Sequence, residues 1–104
     1  MTLKKQAKDL GLTASDLAKA LLDQDMHAPT VYFPLLVAEC LLIEPTETES
    51  KQSIDAFVEA MANVLTQAKD DIDTLKLAPY TTPVRRMDEV KAVKEPNVVY
   101  KINA

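Results

Sequence analysis

A single glycine, a single cysteine, a single histidine and no tryptophan leave several common chemistries without material. Phosphate-binding loops of the GxGxxG or P-loop kind need several glycines so that backbone amides can close on the anion, and Gly11 alone cannot build one. Cys40 has no partner for an internal disulfide, which excludes a secreted disulfide scaffold and fits a reducing compartment. His27 and Cys40 are each alone and far apart in sequence, so no zinc signature is present and no metal site is expected. A serine or cysteine nucleophile would have only His27 as its base, and no serine carries a glycine elbow. Excess positive charge is also missing: 12 basic residues against 16 acidic ones give a net charge of -4. Nucleic acid and anionic membrane surfaces are therefore not expected partners. Long apolar runs are absent too. The longest, residues 35–43, is broken by Glu39 and falls far short of the roughly 20 residues a membrane helix needs. Residues 2–9 carry lysines but no apolar core, so no secretory signal is read and the cytoplasm is the expected location.

What is present suits one folded unit. The 104 residues are 47% hydrophobic and 27% charged, ordinary for a globular domain with one core. Residues 2–10 hold helix formers and stop at Gly11, which suits a left-handed cap. Thr13, three before Asp16, is an N-cap pattern for a helix over residues 14–24, with Leu17, Ala18, Leu21 and Leu22 on one face. Pro29 marks a loop. Residues 30–33, Thr-Val-Tyr-Phe, and residues 39–44, around Leu41 and Leu42, read as two short strands joined by residues 34–38, near neighbours and antiparallel. A third strand has only a partial signal, at residues 98–102.

The clearest element is a long helix after Ser50. Ile54, Phe57, Val58, Met61, Leu65 and Ala68 recur at helical spacing and form a stripe expected to bury against the sheet. Residues 70–77 continue as a short turn or helix, residues 80–83 are an extended connector, residues 86–93 form one or two further turns, and residues 79–104 are partly an irregular tail. The expected class is α+β, a small, mainly antiparallel sheet packed by helices in one domain over residues 1–104.

Few residues stand out chemically. His27 lies in a loop between helix and strand, where active-site groups collect or where a ring simply caps the backbone. Glu44, Glu47 and Glu49 are better explained by the positive end of the following helix than by acid and base chemistry. Arg85 and Arg86 suit a carboxylate or phosphate, but the favoured reading pairs them with Asp88 and Glu89. Cys40 and Met61 read as core filler.

Two segments read together carry a resemblance. His27-Ala28-Pro29-Thr30-Val31-Tyr32-Phe33-Pro34, followed by Ile43-Glu44-Pro45-Thr46-Glu47-Thr48-Glu49-Ser50-Lys51, resembles the C-terminal end of the glycine cleavage system P-protein, the decarboxylating glycine dehydrogenase. Similarity is closest to the second subunit of the split bacterial enzyme. It extends through Asp55-Ala56-Phe57, Ala60-Met61 and the run Ala78-Pro79-Tyr80-Thr81-Thr82-Pro83-Val84-Arg85-Arg86-Met87-Asp88-Glu89-Val90. Met26, where the family commonly has an aromatic residue, and Tyr80, where it commonly has histidine, depart from the pattern.

The resemblance implies the small C-terminal domain of an aspartate aminotransferase-type (fold type I) pyridoxal phosphate enzyme. In the whole enzyme glycine loses its carboxyl group as carbon dioxide, and the aminomethyl group passes to the lipoyl arm of the H-protein. The Schiff-base lysine lies upstream of the region matched, so this chain carries no catalytic or cofactor-binding residue of its own by this comparison and binds no pyridoxal phosphate alone. By family position His27, Thr30, Glu44 and Thr46 are the polar residues to seek near the cleft, with Arg85 or Arg86 as a carboxylate contact by aminotransferase analogy. The implied partners are the large cofactor-binding domain or another P-protein subunit, the lipoylated H-protein and glycine. A rival reading makes the chain a stand-alone, non-catalytic interaction module derived from the same domain. In that case the surface that once faced the large domain should have become polar.

Overall fold

In the computed structural model, which describes residues 1–102, Gly11 ends helix α1 (Lys4–Leu10) in the left-handed region at φ 73°. Its amide and that of Leu12 return to the carbonyls of Ala7 and Gln6, the bonds that close a helix once its last turn has no following partners. The helix starts later than expected because Thr2 is extended and bridges to Cys40. Helix α2 (Ala14–Leu22) follows at once, and its first turn carries a full capping box: Thr13 accepts from the Asp16 amide at 3.1 Å while Asp16 accepts from the Thr13 amide at 3.2 Å. Residues 23 and 24, expected to extend this helix, form a turn instead.

The two strands are real, antiparallel and short. β1 (Thr30–Val31) pairs with β2 (Leu41–Leu42) in the register Thr30 to Leu42 and Val31 to Leu41. Tyr32 turns to φ 59° and Glu39 to φ 49°, which takes the backbone out of the extended region on either side, and the strands are two residues each where four and six were expected. Residues 98–102 form no strand. The extended pairing beyond the two strands comes from the other end of the chain, where Thr2 lies against Cys40, the Leu41 amide donates to the Met1 carbonyl and the Leu3 amide donates to the Glu39 carbonyl.

Helix α3 (Lys51–Asp70) begins at Ser50, whose hydroxyl accepts from the Ser53 amide. A short helix α4 (Ile72–Leu75) and a distal helix α5 (Glu89–Lys94) complete the elements. The stripe on α3 is rotated from the expected one. Ala60, Met61, Val64 and Ala68 are buried, Phe57 and Leu65 half-buried, and Ile54 and Val58 exposed, because α3 packs on α2 and α4 rather than broadly over the sheet. A two-stranded ribbon this short is too small to cover a twenty-residue helix.

The core is therefore centred on α2. Leu3, Leu12, Leu17, Leu21, Leu41, Val64 and Leu75 are its largest fully buried side chains, each contributing about 1.5–3 kcal/mol by leaving water. Cys40 and Met61 are buried as expected. No helix among the described residues is long and apolar enough to cross a membrane.

Candidate functional site

The ribbon sets where the polar residues go. After α2, the Met26 amide donates to the Leu21 carbonyl at 3.1 Å, which folds the chain back and brings exposed His27 to the C-terminal end of α2. Thr30 then pairs with Leu42, where the observed pairing ends, and Glu44 lies two residues beyond it. Thr46 follows in a turn closed by the Glu49 amide on its carbonyl, with its hydroxyl 2.7 Å from that of Thr48. His27, Thr30, Glu44 and Thr46 are all exposed, Thr30 in β1 and the other three on the segments that enter β1 and leave β2, and no hydrogen bond or ion pair among the described residues joins one to another.

The two arginines are used differently from one another and from expectation. Neither pairs with Asp88 or Glu89. Arg86 reaches α2 instead, 2.8 Å from buried Asp16, and its Nε donates to the Ala78 carbonyl at 2.7 Å. Glu89 goes to Lys19 at 3.2 Å. Arg85 lies over the Tyr80 ring at 4.4 Å and donates to the carbonyls of Pro79 and Leu77. Asp16 sits in the first turn of α2 and His27 follows its last, so Arg86 is anchored toward the opposite end of this helix from His27. Arg85 is held toward the C-terminal end. Tyr80, on which it stacks, is anchored at Asp23, the residue that ends α2.

Asp23 organises that end of the molecule. Its carboxylate accepts from the amides of Tyr80 and Thr81 at 2.7 and 2.8 Å and from the Thr81 hydroxyl at 2.9 Å. Partial burial pushes its pKa up, but the Thr81 and Tyr80 amides, the Thr81 hydroxyl and the nearby Arg85 charge outweigh that, leaving the carboxyl below the ordinary aspartate value. Residues 77–89 are in this way strapped along α2 by Asp23, Asp16 and Lys19. An open groove of about 290 Å³ runs between Ser15 and Lys19 on one side and residues 86–90 on the other. It does not include His27, Thr30, Glu44 or Thr46. No cluster of three metal-ligating side chains occurs among the described residues.

Sequence reasoning missed Asp16 as the partner of Arg86, since Asp16 had already been read as a capping residue and does both jobs. It also missed the two backbone reversals at Tyr32 and Glu39. The available signal was the pair Leu35-Leu36 just after Pro34, apolar residues that belong to no strand or helix period.

Comparison with known proteins adds the decisive observation. The profile of a family described as "Glycine dehydrogenase, C-terminal domain" matches residues 1–90. The chain belongs to this family. A protein of Thioalkalivibrio sulfidiphilus named "Probable glycine dehydrogenase (decarboxylating) subunit 2" is 60% identical over 104 residues, all of this chain and 21% of that protein. Proteins of the same name from Nitrosococcus oceani and Coxiella burnetii are 61% and 58% identical over 88% and 91% of the chain, and 19% of each is covered. The chain spans about one fifth of the length of these relatives.

Glycine dehydrogenases of this family imply pyridoxal phosphate, and the residues of this chain do not by themselves fit it. A Schiff base needs an enclosed amine, but every described lysine except Lys19 is exposed, and Lys19 is paired with Glu89.

Proposed function

We propose that this chain is the C-terminal part of a glycine-decarboxylating subunit, built as the small domain of an aspartate aminotransferase-type enzyme. It supplies a wall of the substrate cleft rather than the chemistry within it. The observation that carries this reading is the uninterrupted match of all 104 residues to one fifth of a decarboxylating subunit. The Schiff-base lysine and the cofactor belong to the other four-fifths. Pyridoxal phosphate there supplies the electron sink for loss of carbon dioxide from glycine, and the aminomethyl group passes to the lipoyl arm of the H-protein. This chain alone is inactive. It works in the cytoplasm, joined to the large domain and to the companion subunit of the split enzyme.

In this reading His27, Thr30, Glu44 and Thr46 face the cleft, because they are polar and exposed on or beside the two strands in the segments that carry the family resemblance. Arg85, on the same end of α2, keeps N–H donors beyond those used on Leu77 and Pro79 and is the candidate for a substrate carboxylate. Arg86, occupied by Asp16 and Ala78, is a positioning residue. The rival interaction module would have a polar orphan surface. Leu35 and Leu36, 85% and 100% exposed, and the uncovered Val84, Met87, Val90 and Val93 favour a part of something larger.

The test is replacement of the matching fifth of the Thioalkalivibrio relative by this chain, assayed with its companion subunit and lipoylated H-protein. Release of labelled carbon dioxide from glycine should stay within about tenfold of the parent's rate, a change of ~1.4 kcal/mol in barrier. A folded hybrid with background release would overturn the reading. So would a stable protein-bound absorbance band when the 104-residue chain alone is mixed with pyridoxal phosphate.

A further inference from the structure

We propose that the turn at residues 34–37 is a preformed apolar plug that seats in a hydrophobic pocket on the larger remainder of the same subunit. The inference rests on the reading above that the chain is one part of a longer subunit, and it names the surface that makes the join.

The turn is built rather than loose. The Val37 amide donates to the Pro34 carbonyl at 3.1 Å, which leaves Leu35 and Leu36 as the two central residues of a tight reversal. Two apolar side chains at a turn tip have no reason to stay in water, yet Leu36 is wholly exposed and Leu35 nearly so. What holds them out is the base of the turn. Tyr32 and Glu39 bracket it in the left-handed region, at φ 59° and 49°, a conformation that non-glycine residues rarely adopt. Each is tied to the first turn of α2: the Ala14 amide donates to the Glu39 carboxylate at 2.6 Å and the Ser15 amide to the Tyr32 hydroxyl at 3.4 Å. The Tyr32 amide bonds the Cys40 carbonyl at 2.8 Å, and the Thr2 hydroxyl donates to the Ala38 carbonyl. Strain at both ends with anchors on helix and strand is the arrangement expected where a shape must exist before its partner arrives.

Chemistry and size choose the occupant. Residues 32–38 carry no charge, so the surface that receives them is apolar. The seven exposed residues 32–38 are far fewer than the roughly 20–30 residues a side that hold two free proteins together, which argues against a second copy. A covalently joined partner needs much less, because tethering sets an effective concentration near millimolar. The relatives supply such a partner, with about four-fifths of their length outside the matched region.

The test compares Leu36→Cys in the 104-residue chain and in the hybrid full-length subunit described above, by maleimide labelling followed by peptide mass spectrometry. Labelling in the hybrid should be at least about tenfold slower, and equal in both once urea unfolds them. Hydrogen exchange across residues 35–37 of the unsubstituted proteins repeats the comparison without a new thiol and should show the same protection. Equal rates in the two folded proteins would overturn the plug. Labelling of the 104-residue chain that slows as its concentration rises would also overturn it, by making a second copy the occupant. Carbon dioxide release by the same hybrid reports the functional reading separately: a protected Leu36→Cys without release keeps the plug and sinks that reading, and release with Leu36→Cys fully reactive does the reverse.

Discussion

Among the described residues Asp16 is the one charged side chain buried in the core region, and both its carboxylate oxygens are used: one on the Thr13 amide and on the Thr13 hydroxyl at 2.7 Å, the other on Arg86. Arg86 is partly exposed, so solvent screens the pair and lowers its worth below that of a fully buried one. Asp16→Asn should cost about 1–2 kcal/mol in urea unfolding, and a double-mutant cycle with Arg86→Gln should return a coupling of about 1 kcal/mol. Additive losses would show that the two residues act independently. Asp23 makes a prediction in pH rather than in contacts. Its folded-state pKa lies below the unfolded value of about 3.9, so its stabilisation is complete above that value and is lost as pH falls through the folded pKa. Acid titration of Asp23→Asn should lack this part of the loss below about pH 4, while the variant is already less stable at neutral pH. An unchanged acid limb would refute it.

At the scale of elements, what could be read from the sequence was whatever depends on near neighbours. The glycine cap at Gly11, the Thr13 box, the Ser50 cap and the antiparallel pairing of two apolar runs are all decided within a few residues, and all are present. The face that α3 buries is a different kind of question. Periodicity put Ile54, Phe57, Val58 and Met61 in one stripe, but which side of a broad stripe is covered depends on the partner, and the partner is α2 rather than a sheet. The same distance in sequence hid the Arg86 to Asp16 pair and the clamps of Tyr32 and Glu39 on α2. His27, Thr30, Glu44 and Thr46 were singled out through the family resemblance alone, since composition gives none of them a chemical partner. Truncation tests the rotated face directly. In the 104-residue chain Met61→Ala should cost about 2–4 kcal/mol and Val58→Ala less than about 0.5 kcal/mol, measured by denaturant midpoints. Comparable losses would return α3 to the face periodicity suggested.

The whole molecule has a radius of gyration of 15.9 Å, against about 13 Å for a closed domain of this length. Along residues 84–102 Val84, Met87, Val90, Val93 and Val98 remain in water. A chain that leaves this much apolar surface open has its function at its boundary, and two of its boundary features carry different weights. His27 and Glu44 touch little within the chain, so their removal should leave stability unchanged. Arg86 holds the strap to α2, so its removal should not. In the full-length hybrid, His27→Ala and Glu44→Gln should each lower kcat/KM for glycine about tenfold with an unchanged melting temperature, a loss of ~1.4 kcal/mol of transition-state stabilisation. Arg86→Ala should lower both activity and melting temperature, and a mild stabilising osmolyte should restore part of its activity but none of theirs. If His27→Ala and Glu44→Gln kept full kcat/KM, the end of the ribbon would not face the cleft, and the uncovered groove beside Ser15 and Lys19 would become the better candidate.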